Sequence, residues 1–569
     1  LPTIFPLLKM VVLLLALASA CLASTLPVVD LGYERHQALS YNGTSGLYKF
    51  NNIRYAAPPI GDLRFRAPAA PEVNRMEIQN GSVARVCPQA APVWDQVQAT
   101  FVVDYLYGLP FDGSSNTSDY TYTPIAPDPS VSEDCLFLDI IVPKKVFDQT
   151  KVKKATRKNL APVLVWIYGG GYITGDKTLN DARGLAQRST VAGHDGIVYV
   201  SINYRLGAFG WLGGDSVTAN GTANAALHDQ RFALNWVKKN IHLFGGDSSR
   251  VTVMGESAGG GSVLHQVTAY GGQGTVPFQQ AIIQSPGWIP LVTEEVQEAT
   301  LQQFLGFLNV STIEEARTLS SDKLIAANSA QIAIKSQWGQ FTYGPTVDGT
   351  FAPALPGQLL LEGKFHSGVN VMVGHTADEG LLFTSPESYN STGFASELAT
   401  LIPNSPKNKF DYVVDVLYPA VYNGSYDYKD SVARSALMVS DLGFQCNTDY
   451  INHAFEKTYA YEFVISPGLH GQDGSYTFYN PGETVVSSNP DVVTAMSSVT
   501  NVSVALAMQD YFLSFTENGV PTSSLAPPIE PRGPSGQLMS INTHTIQRAQ
   551  DATNNQRCKF WQTASDLFQ

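Results

Sequence analysis

Between residues 163 and 464, short apolar runs rich in Val, Ile and Tyr alternate with stretches of helical periodicity, and this alternation constrains the fold more than any other feature. Strands are expected at 163–168 (VLVWIY), 197–203 (IVYVSIN), 251–255 (VTVMG), 281–285 (AIIQS), 369–374 (VNVMVG) and 459–464 (YAYEFV). Between the second and third of these, Leu227, Leu234, Trp236, Val237 and Ile241 recur near helical spacing and Gly245-Gly246 ends the run, so 224–244 reads as a helix. Strands that alternate with helices build an α/β protein, with a large, mostly parallel central sheet flanked by helices. A length of 569 residues allows roughly four domains at about 150 residues each. No repeat, long linker or break in composition divides the chain, which favours a single domain over 24–569 with inserted loops.

The chain carries 36 Lys+Arg against 49 Asp+Glu, a net charge of −13, and has no basic run. That balance works against nucleic acid or an anionic membrane as the main partner. Charged residues make up 15% of the chain, well below the usual ~25%, so the interior is large and the surface is kept soluble partly by other means. Lys9 and Met10 precede a ten-residue apolar core, 11–20 (VVLLLALASA), and small residues follow. This core is too short to span ~30 Å of hydrocarbon and reads as a secretory signal peptide over 1–23, with Met10 a plausible initiator; an N-terminal anchor is the alternative. The expected location is extracellular, with no stable membrane anchor.

Removing Cys21 with the signal leaves Cys87, Cys135, Cys446 and Cys558, an even number that suits an oxidising compartment. Chain proximity favours Cys87 with Cys135 and Cys446 with Cys558 among the three possible pairings, without deciding between them. No C-x-x-C or tight Cys/His cluster occurs, so no metal is expected. Eight N-x-S/T sequons, at Asn42, Asn80, Asn116, Asn220, Asn309, Asn390, Asn423 and Asn501, suggest a glycosylated surface that accounts for the sparse charge.

The sharpest chemical signal is Gly255-Glu256-Ser257-Ala258-Gly259, set between the strand VTVM and a helical run. G-x-S-x-G in that context is a nucleophile elbow. Glycine at 255 and 259 avoids a clash between strand and helix, and Ser257 Oγ projects above a positive helix N-terminus. A nucleophile of this kind needs donors for a developing oxyanion. The loop 166–172 (WIYGGGY) runs off a strand into a glycine triplet whose N–H groups are uncovered, so Gly170 and Gly171, with Ala258 N–H, are the candidate donors. A phosphate loop is the weaker reading of this triplet, because no G-K-[ST] follows.

Residues 244–259 (FGGDSSRVTVMGESAG) resemble the serine signature of the type-B carboxylesterase/lipase family, which includes the cholinesterases and the secreted fungal carboxylesterases and lipases. Residues 133–140 (EDCLFLDI) resemble its second signature, with Phe137 where Tyr or Thr is usual. Further matches are 55–65 (YAAPPIGDLRF), 203–207 (NYRLG), 229–231 (DQR) and 345–349 (PTVDG), and the likeness runs over about 26–565. It implies the α/β-hydrolase fold, with catalytic order Ser, acid, His. His470 lies in the Gly-bracketed loop 467–474 (PGLHGQDG), just past the strand YAYEFV, where a base over the cleft has to be presented. The family match agrees on His470. It also implies Glu379 of the motif Asp378-Glu379-Gly380 as the orienting acid; without it, a solvated acidic turn would be the natural reading.

The resemblance further implies the disulfides Cys87–Cys135 and Cys446–Cys558, and buried ion pairs of Arg64 with Glu133 and Arg205 with Asp229. It implies a serine hydrolase that cleaves carboxylic esters through an acyl-enzyme, without cofactor or metal, on a small-molecule or lipid ester. The alternative is a catalytically inactive cholinesterase-like adhesion or binding protein. The loop closed by Cys87 and Cys135 is a lid in the family's lipases. Here it carries Phe101, Val102, Val103, Tyr105, Leu106, Tyr107, Leu109 and Phe111, which suit an acyl-chain surface or equally pack the loop onto the body. Trp211 and Trp288 are pocket-lining or core residues with equal weight, and the apolar loop favours a lipase-like preference for a lipid or other bulky apolar ester over a small soluble one.

Overall fold

A computed structural model describes residues 26–111, 113, 119–123, 128–151, 160–191, 193–288, 293–483, 497–532, 536–564 and 567. The expected signal segment and the Asn116 sequon lie outside the described residues. Among the described residues, eleven strands join one sheet: β1 (Ser40–Asn42), β2 (Leu47–Arg54), β3 (Phe137–Pro143), β4 (Ala161–Ile167), β5 (Val198–Ile202), β6 (Gly246–Glu256), β7 (Gln280–Gln284), β8 (Asn370–Thr376), β9 (Thr458–Phe463), β10 (Gln537–Ile541) and β11 (Ile546–Gln550). Their spatial order is β11-β10-β9-β8-β7-β6-β4-β5-β3-β2-β1. From β5 through β10 every pairing is parallel. The pairings β10 with β11, β5 with β3, β3 with β2 and β2 with β1 are antiparallel.

All six expected strands are present, shifted by a residue or two at most ends, and β6 begins five residues earlier than the apolar run. In β3, β4 and β5 every residue is buried, which is why these strands read as unbroken apolar runs rather than as alternating faces. The expected helix 224–244 is a helix Ala225–Asn240 followed by a tighter turn, Ile241–Phe244, which Gly245 ends at φ +88°. A separate three-stranded sheet, in the order Val28–Asp30, Arg35–Gln37, Ile78–Gln79, lies beside the main one in sequence.

The two disulfides pair Cys87 with Cys135 and Cys446 with Cys558, each at a Cα separation of 5.0 Å. Arg64 holds Glu133 at 2.7 and 2.9 Å, and Arg205 holds Asp229 at 2.7 Å through both Nε and Nη2. Asp229 sits on the helix Ala225–Asn240 and is fully buried, so the pair fastens this helix to the turn after β5. Removing one partner of such a pair strands a charge in the interior. Arg205→Ala is therefore expected to cost about 3–5 kcal/mol, read as a lower urea midpoint at constant slope. A loss below about 1 kcal/mol, the value of an exposed pair, would contradict this role.

Within the loop closed by Cys87 and Cys135 lies the helix Asp95–Tyr107, ended by Gly108 at φ +66°. Its Phe101 and Val102 are buried against the body, Val103, Tyr105 and Leu106 are half-buried, and Tyr107 and Leu109 are exposed. Polar contacts fasten the segment as well. Trp94 Nε1 donates to the Gln340 carbonyl at 3.2 Å, Gln98 donates to the Leu382 carbonyl, and Tyr105 OH donates to Asp430 at 3.1 Å. Phe101 and Val102 thus serve packing, and among the described residues of this helix and the turn after it Tyr107 and Leu109 present the most apolar surface.

Candidate active site

Ser257 follows β6 directly and opens the helix Ala258–Thr268, with φ +57° and ψ −126°. That conformation is costly for a residue with a side chain and persists only where the surroundings enforce it. The flanking glycines provide the room. A Cβ at Gly255 would lie 2.4 Å from the Gly259 carbonyl oxygen, and one at Gly259 would lie 2.0 Å from that of Ile167. Ser257 N–H donates to the Gln284 carbonyl at 3.1 Å, and the Ser257 carbonyl accepts from Gly261 and Gly287 at 2.8 and 2.9 Å.

Glu379 lies in the turn after β8 and His470 in the loop after β9, so both stand with Ser257, after β6, at the carboxyl ends of parallel strands within the run β6-β7-β8-β9. The two loops are joined: Asp378 N–H donates to the Gly468 carbonyl at 2.8 Å, and Gln472 Oε1 accepts from the N–H groups of Gly468 and Leu469. His470 Nε2 is 2.7 Å from Ser257 Oγ and its Nδ1 is 2.5 Å from Glu379 Oε2. Glu379 is fully buried, and its Oε1 accepts from Ser285 Oγ at 2.6 Å and from Thr376 N–H at 2.7 Å. Burial alone would raise this carboxyl, but the His470 charge and the hydrogen bonds from His470, Ser285 and Thr376 outweigh it and hold the group below its ordinary range. Burial works against a charged His470 too; there the Glu379 charge and hydrogen bond win, and its value is raised. Phe444 and Phe383 flank the imidazole, with ring centroids 4.4 and 5.2 Å away.

Gly171, Ala258 and Ser257 line one cavity of about 40 Å³, whose walls include Trp288, Phe341, Tyr343 and Phe383; Gly170 stands outside that lining. The glycine triplet is sterically required. A Cβ at Gly169 would come within 2.8 Å of Ser257 Cβ, one at Gly170 within 2.3 Å of the Thr174 carbonyl oxygen, and one at Gly171 within 2.6 Å of the Phe341 ring. Trp288 is therefore a pocket residue, whereas Trp211 is not in the lining and packs edge-on against the lining residue Tyr172 at 4.7 Å. Three other histidines downstream of Ser257 lie elsewhere: His265 is buried in the elbow helix, edge-on to Trp288 at 5.5 Å, His375 is on β8, and His453 pairs with Asp449 at 3.1 Å.

Three polar residues at the site escaped the sequence reading. Ser285, at the end of an expected strand, adopts φ +42° and donates to Glu379. Asp473, three residues after His470, is fully buried, is pushed up to about 6 by burial, and accepts from Tyr461 OH at 2.8 Å. Glu256, the variable residue of the pentapeptide, has Oε1 3.5 Å from His470 Nε2, and burial pushes it up to about 8. The Glu256 carboxyl is accordingly neutral at pH 7 and ionises as the pH passes about 8. Glu256→Gln, a neutral isostere, is expected to keep kcat/KM at pH 6–7 within about tenfold and to remove an inflection near pH 8 from the rate profile. A variant profile identical to wild type above pH 8 would show that this carboxyl does not titrate there.

Residues 32–561 match the model of the carboxylesterase family. The chain is 40% identical to carboxylesterase patB of Aspergillus clavatus over 97% of its own length and 98% of that protein. It is 34% identical to lipase 1 of Geotrichum candidum over 76% of this chain and 80% of that one. The backbone matches the crystal structure of Aspergillus niger EstA with a TM-score of 0.77 at 26% identity, covering 96% of this chain and 99% of that chain. With a serine, a histidine and a buried glutamate brought together at the strand ends, the chain belongs to the carboxylesterase family and is a carboxylic ester hydrolase of the α/β-hydrolase fold.

Proposed function

We propose that the protein is a secreted carboxylesterase in which Ser257, His470 and Glu379 form the catalytic triad and which works best on compact esters. The observation that carries this reading is the relay of 2.7 and 2.5 Å contacts opening onto a narrow aromatic cavity. Glu379 fixes the Nδ1–H tautomer, so Nε2 takes the Ser257 proton as Oγ attacks the ester carbonyl. The N–H groups of Gly171 and Ala258, with Gly170 behind them, receive the oxyanion; one such donor is typically worth about 3 kcal/mol of barrier. His470 then protonates the leaving alcohol and activates the water that hydrolyses the acyl-enzyme.

A cavity of about 40 Å³ walled by Trp288, Phe341, Tyr343 and Phe383 admits a short acyl or alkoxy group; a long chain requires these rings to move. The buried Phe101 and Val102 also weigh against a freely opening lipid-binding flap, and so against the bulky or lipid ester that the loop's composition favours. Export is supported by the signal-like 1–23 segment, by two disulfides, and by the exposed Asn42, Asn80, Asn309, Asn390 and Asn423 sequons. Residues 24–569 then act as one catalytic domain. Among the described residues, no helix is long and apolar enough to cross a membrane.

The test is a rate series on p-nitrophenyl esters of rising chain length, together with an emulsified triglyceride. The expected result is a maximum at two to four carbons and no rate gain when the triglyceride passes its solubility limit. Preference for long chains with a rate jump at the interface would overturn the compact-ester reading and favour a lipase.

A further inference from the structure

The two sheets present four open edges among the described residues: β1 and β11 on the large sheet, and Val28–Asp30 and Ile78–Gln79 on the small one. An open edge offers unpaired N–H and C=O groups to any other strand, and proteins protect such edges with charge, proline or a covering element. Two of the four carry charge. β11 contains Arg548, 3.5 Å from Glu530, and Val28–Asp30 contains Asp30, 2.6 Å from Arg75. The other two, Ser40–Asn42 and Ile78–Gln79, contain no charged residue or proline, and they expose Tyr41 and Ile78 at 39% and 47%.

Both of these uncharged edges run into a sequon. Asn42 is the last residue of β1, and Asn80 follows Gln79 directly. Both asparagines are exposed, and in each the side-chain carbonyl is tied to the backbone ahead. Asn42 Oδ1 accepts from Thr44 and Ser45 N–H at 2.9 and 3.1 Å, and Asn80 Oδ1 accepts from Ser82 N–H at 3.1 Å. Neither Nδ2 makes a hydrogen bond among the described residues. By contrast, Asn220 Nδ2 donates to Glu314, and Asn501 Nδ2 donates to the Thr543 carbonyl at 2.8 Å. Asn42 and Asn80 also each stand at the wall of a surface cleft, of about 440 Å³ for Asn42 and 580 Å³ for Asn80, with room for the first sugars of a chain.

We propose that N-linked glycans on Asn42 and Asn80 cap the two uncharged sheet edges and keep the protein from associating edge to edge. The proposal rests on the secretion reading. In the transfer, the asparagine Nδ2 attacks C1 of a lipid-diphosphate-linked oligosaccharide; a C1–N bond forms, the C1–O bond to diphosphate breaks, and one amide proton is lost. The glycan does at these edges what Arg548 and Asp30 do at the others.

The test uses full-length protein secreted from a glycosylating yeast or filamentous fungus, as wild type, as the double variant Asn42→Gln/Asn80→Gln, and as the control Asn423→Gln. Glycopeptide mass spectrometry is expected to find both Asn42 and Asn80 occupied. The double variant is expected to hydrolyse p-nitrophenyl butyrate at the wild-type rate yet to form dimers and larger species in light scattering, at concentrations where the control stays monodisperse. Adding Ser40→Lys to the double variant is expected to reduce that association by placing a charge on β1. If the double variant is not secreted, the single variants Asn42→Gln and Asn80→Gln, each baring one uncharged edge, give the comparison with the Asn423→Gln control on a folded chain. Bare Asn42 and Asn80 beside occupied sequons elsewhere would overturn the capping alone, as would association no different from the control with both sites occupied. A secreted product with no glycan on any sequon would overturn the proposal without touching export, whereas failure of the 1–23 segment to export a reporter would remove the secretion reading itself.

Discussion

Ser257→Ala is expected to lower kcat on p-nitrophenyl butyrate by about 10⁵-fold or more, the scale on which a triad nucleophile is lost. The fold should be untouched. The positive φ at this position is enforced by the strand-to-helix turn and by the hydrogen bonds of the Ser257 N–H and C=O, none of which involves Oγ. Alanine meets the same backbone strain as serine, so the urea midpoint and circular dichroism are expected to match wild type. The residual rate over water reports the donors at Gly171 and Ala258 and substrate binding alone. An organophosphonate probe is expected to label wild type and leave the variant unmodified. A variant that keeps more than about 1% of wild-type kcat, or that still takes up the probe, would remove Ser257 from the reaction.

The second large effect is at Glu379, where Gln is nearly isosteric but wrong in its hydrogen-bonding pattern. Glu379 Oε1 receives two donors, Ser285 Oγ and Thr376 N–H, so a glutamine there is held with its carbonyl toward them. Its amide NH₂ then faces His470 Nδ1, which must accept, and the proton moves to Nε2. In that tautomer His470 presents N–H to Ser257 and has no lone pair to take the Oγ proton. Glu379→Gln is accordingly expected to reduce kcat by about 10⁴-fold while leaving KM within a few-fold. Ser285→Ala, which keeps the carboxylate and removes one of its donors, is expected to cost far less. A Gln variant with more than a tenth of wild-type kcat would show that the carboxylate does not set the tautomer.

Much of this was legible in the sequence, and the reasons are physical. Strand β6, the glycine-flanked Ser257 and the helix after it are local, so sequence neighbours alone dictate the elbow. His470 could be reached because a base must sit in a loop past a strand, whereas Glu379 depended on family likeness, since nothing local separates it from a solvated acid. The antiparallel ends of the sheet were missed. β1 and β11 are short and mostly exposed, so they carry no burial pattern, and β2 is interrupted by an irregularity between Phe50 and Ile53. The protonation of Glu256 was also hidden, because it comes from burial in the folded chain, to which the distant carboxylates of Asp473 and Glu379 add and which the charge of His470 opposes. For the same reason the apolar residues of the Asp95–Tyr107 helix read equally as flap or as packing, because the rings that Phe101 packs against, Trp338 and Tyr389, come from distant parts of the chain.

The cavity walls have an origin different from that of the proposed reacting groups. Ser257, Glu379 and His470 are set by strand ends in the middle of the sheet, but Trp288, Phe341 and Tyr343 hang from connecting segments. Two of the contacts that shape those walls tolerate no side chain: a Cβ at Gly339 would lie 2.0 Å from the Phe383 carbonyl oxygen, and one at Gly171 would strike the Phe341 ring. Evolution of this scaffold toward new esters therefore has a narrow route. Variation can exchange the aromatic rings at 288, 341 and 343 while the glycines that seat them stay fixed, so selectivity can drift across a lineage without retuning the reaction it serves.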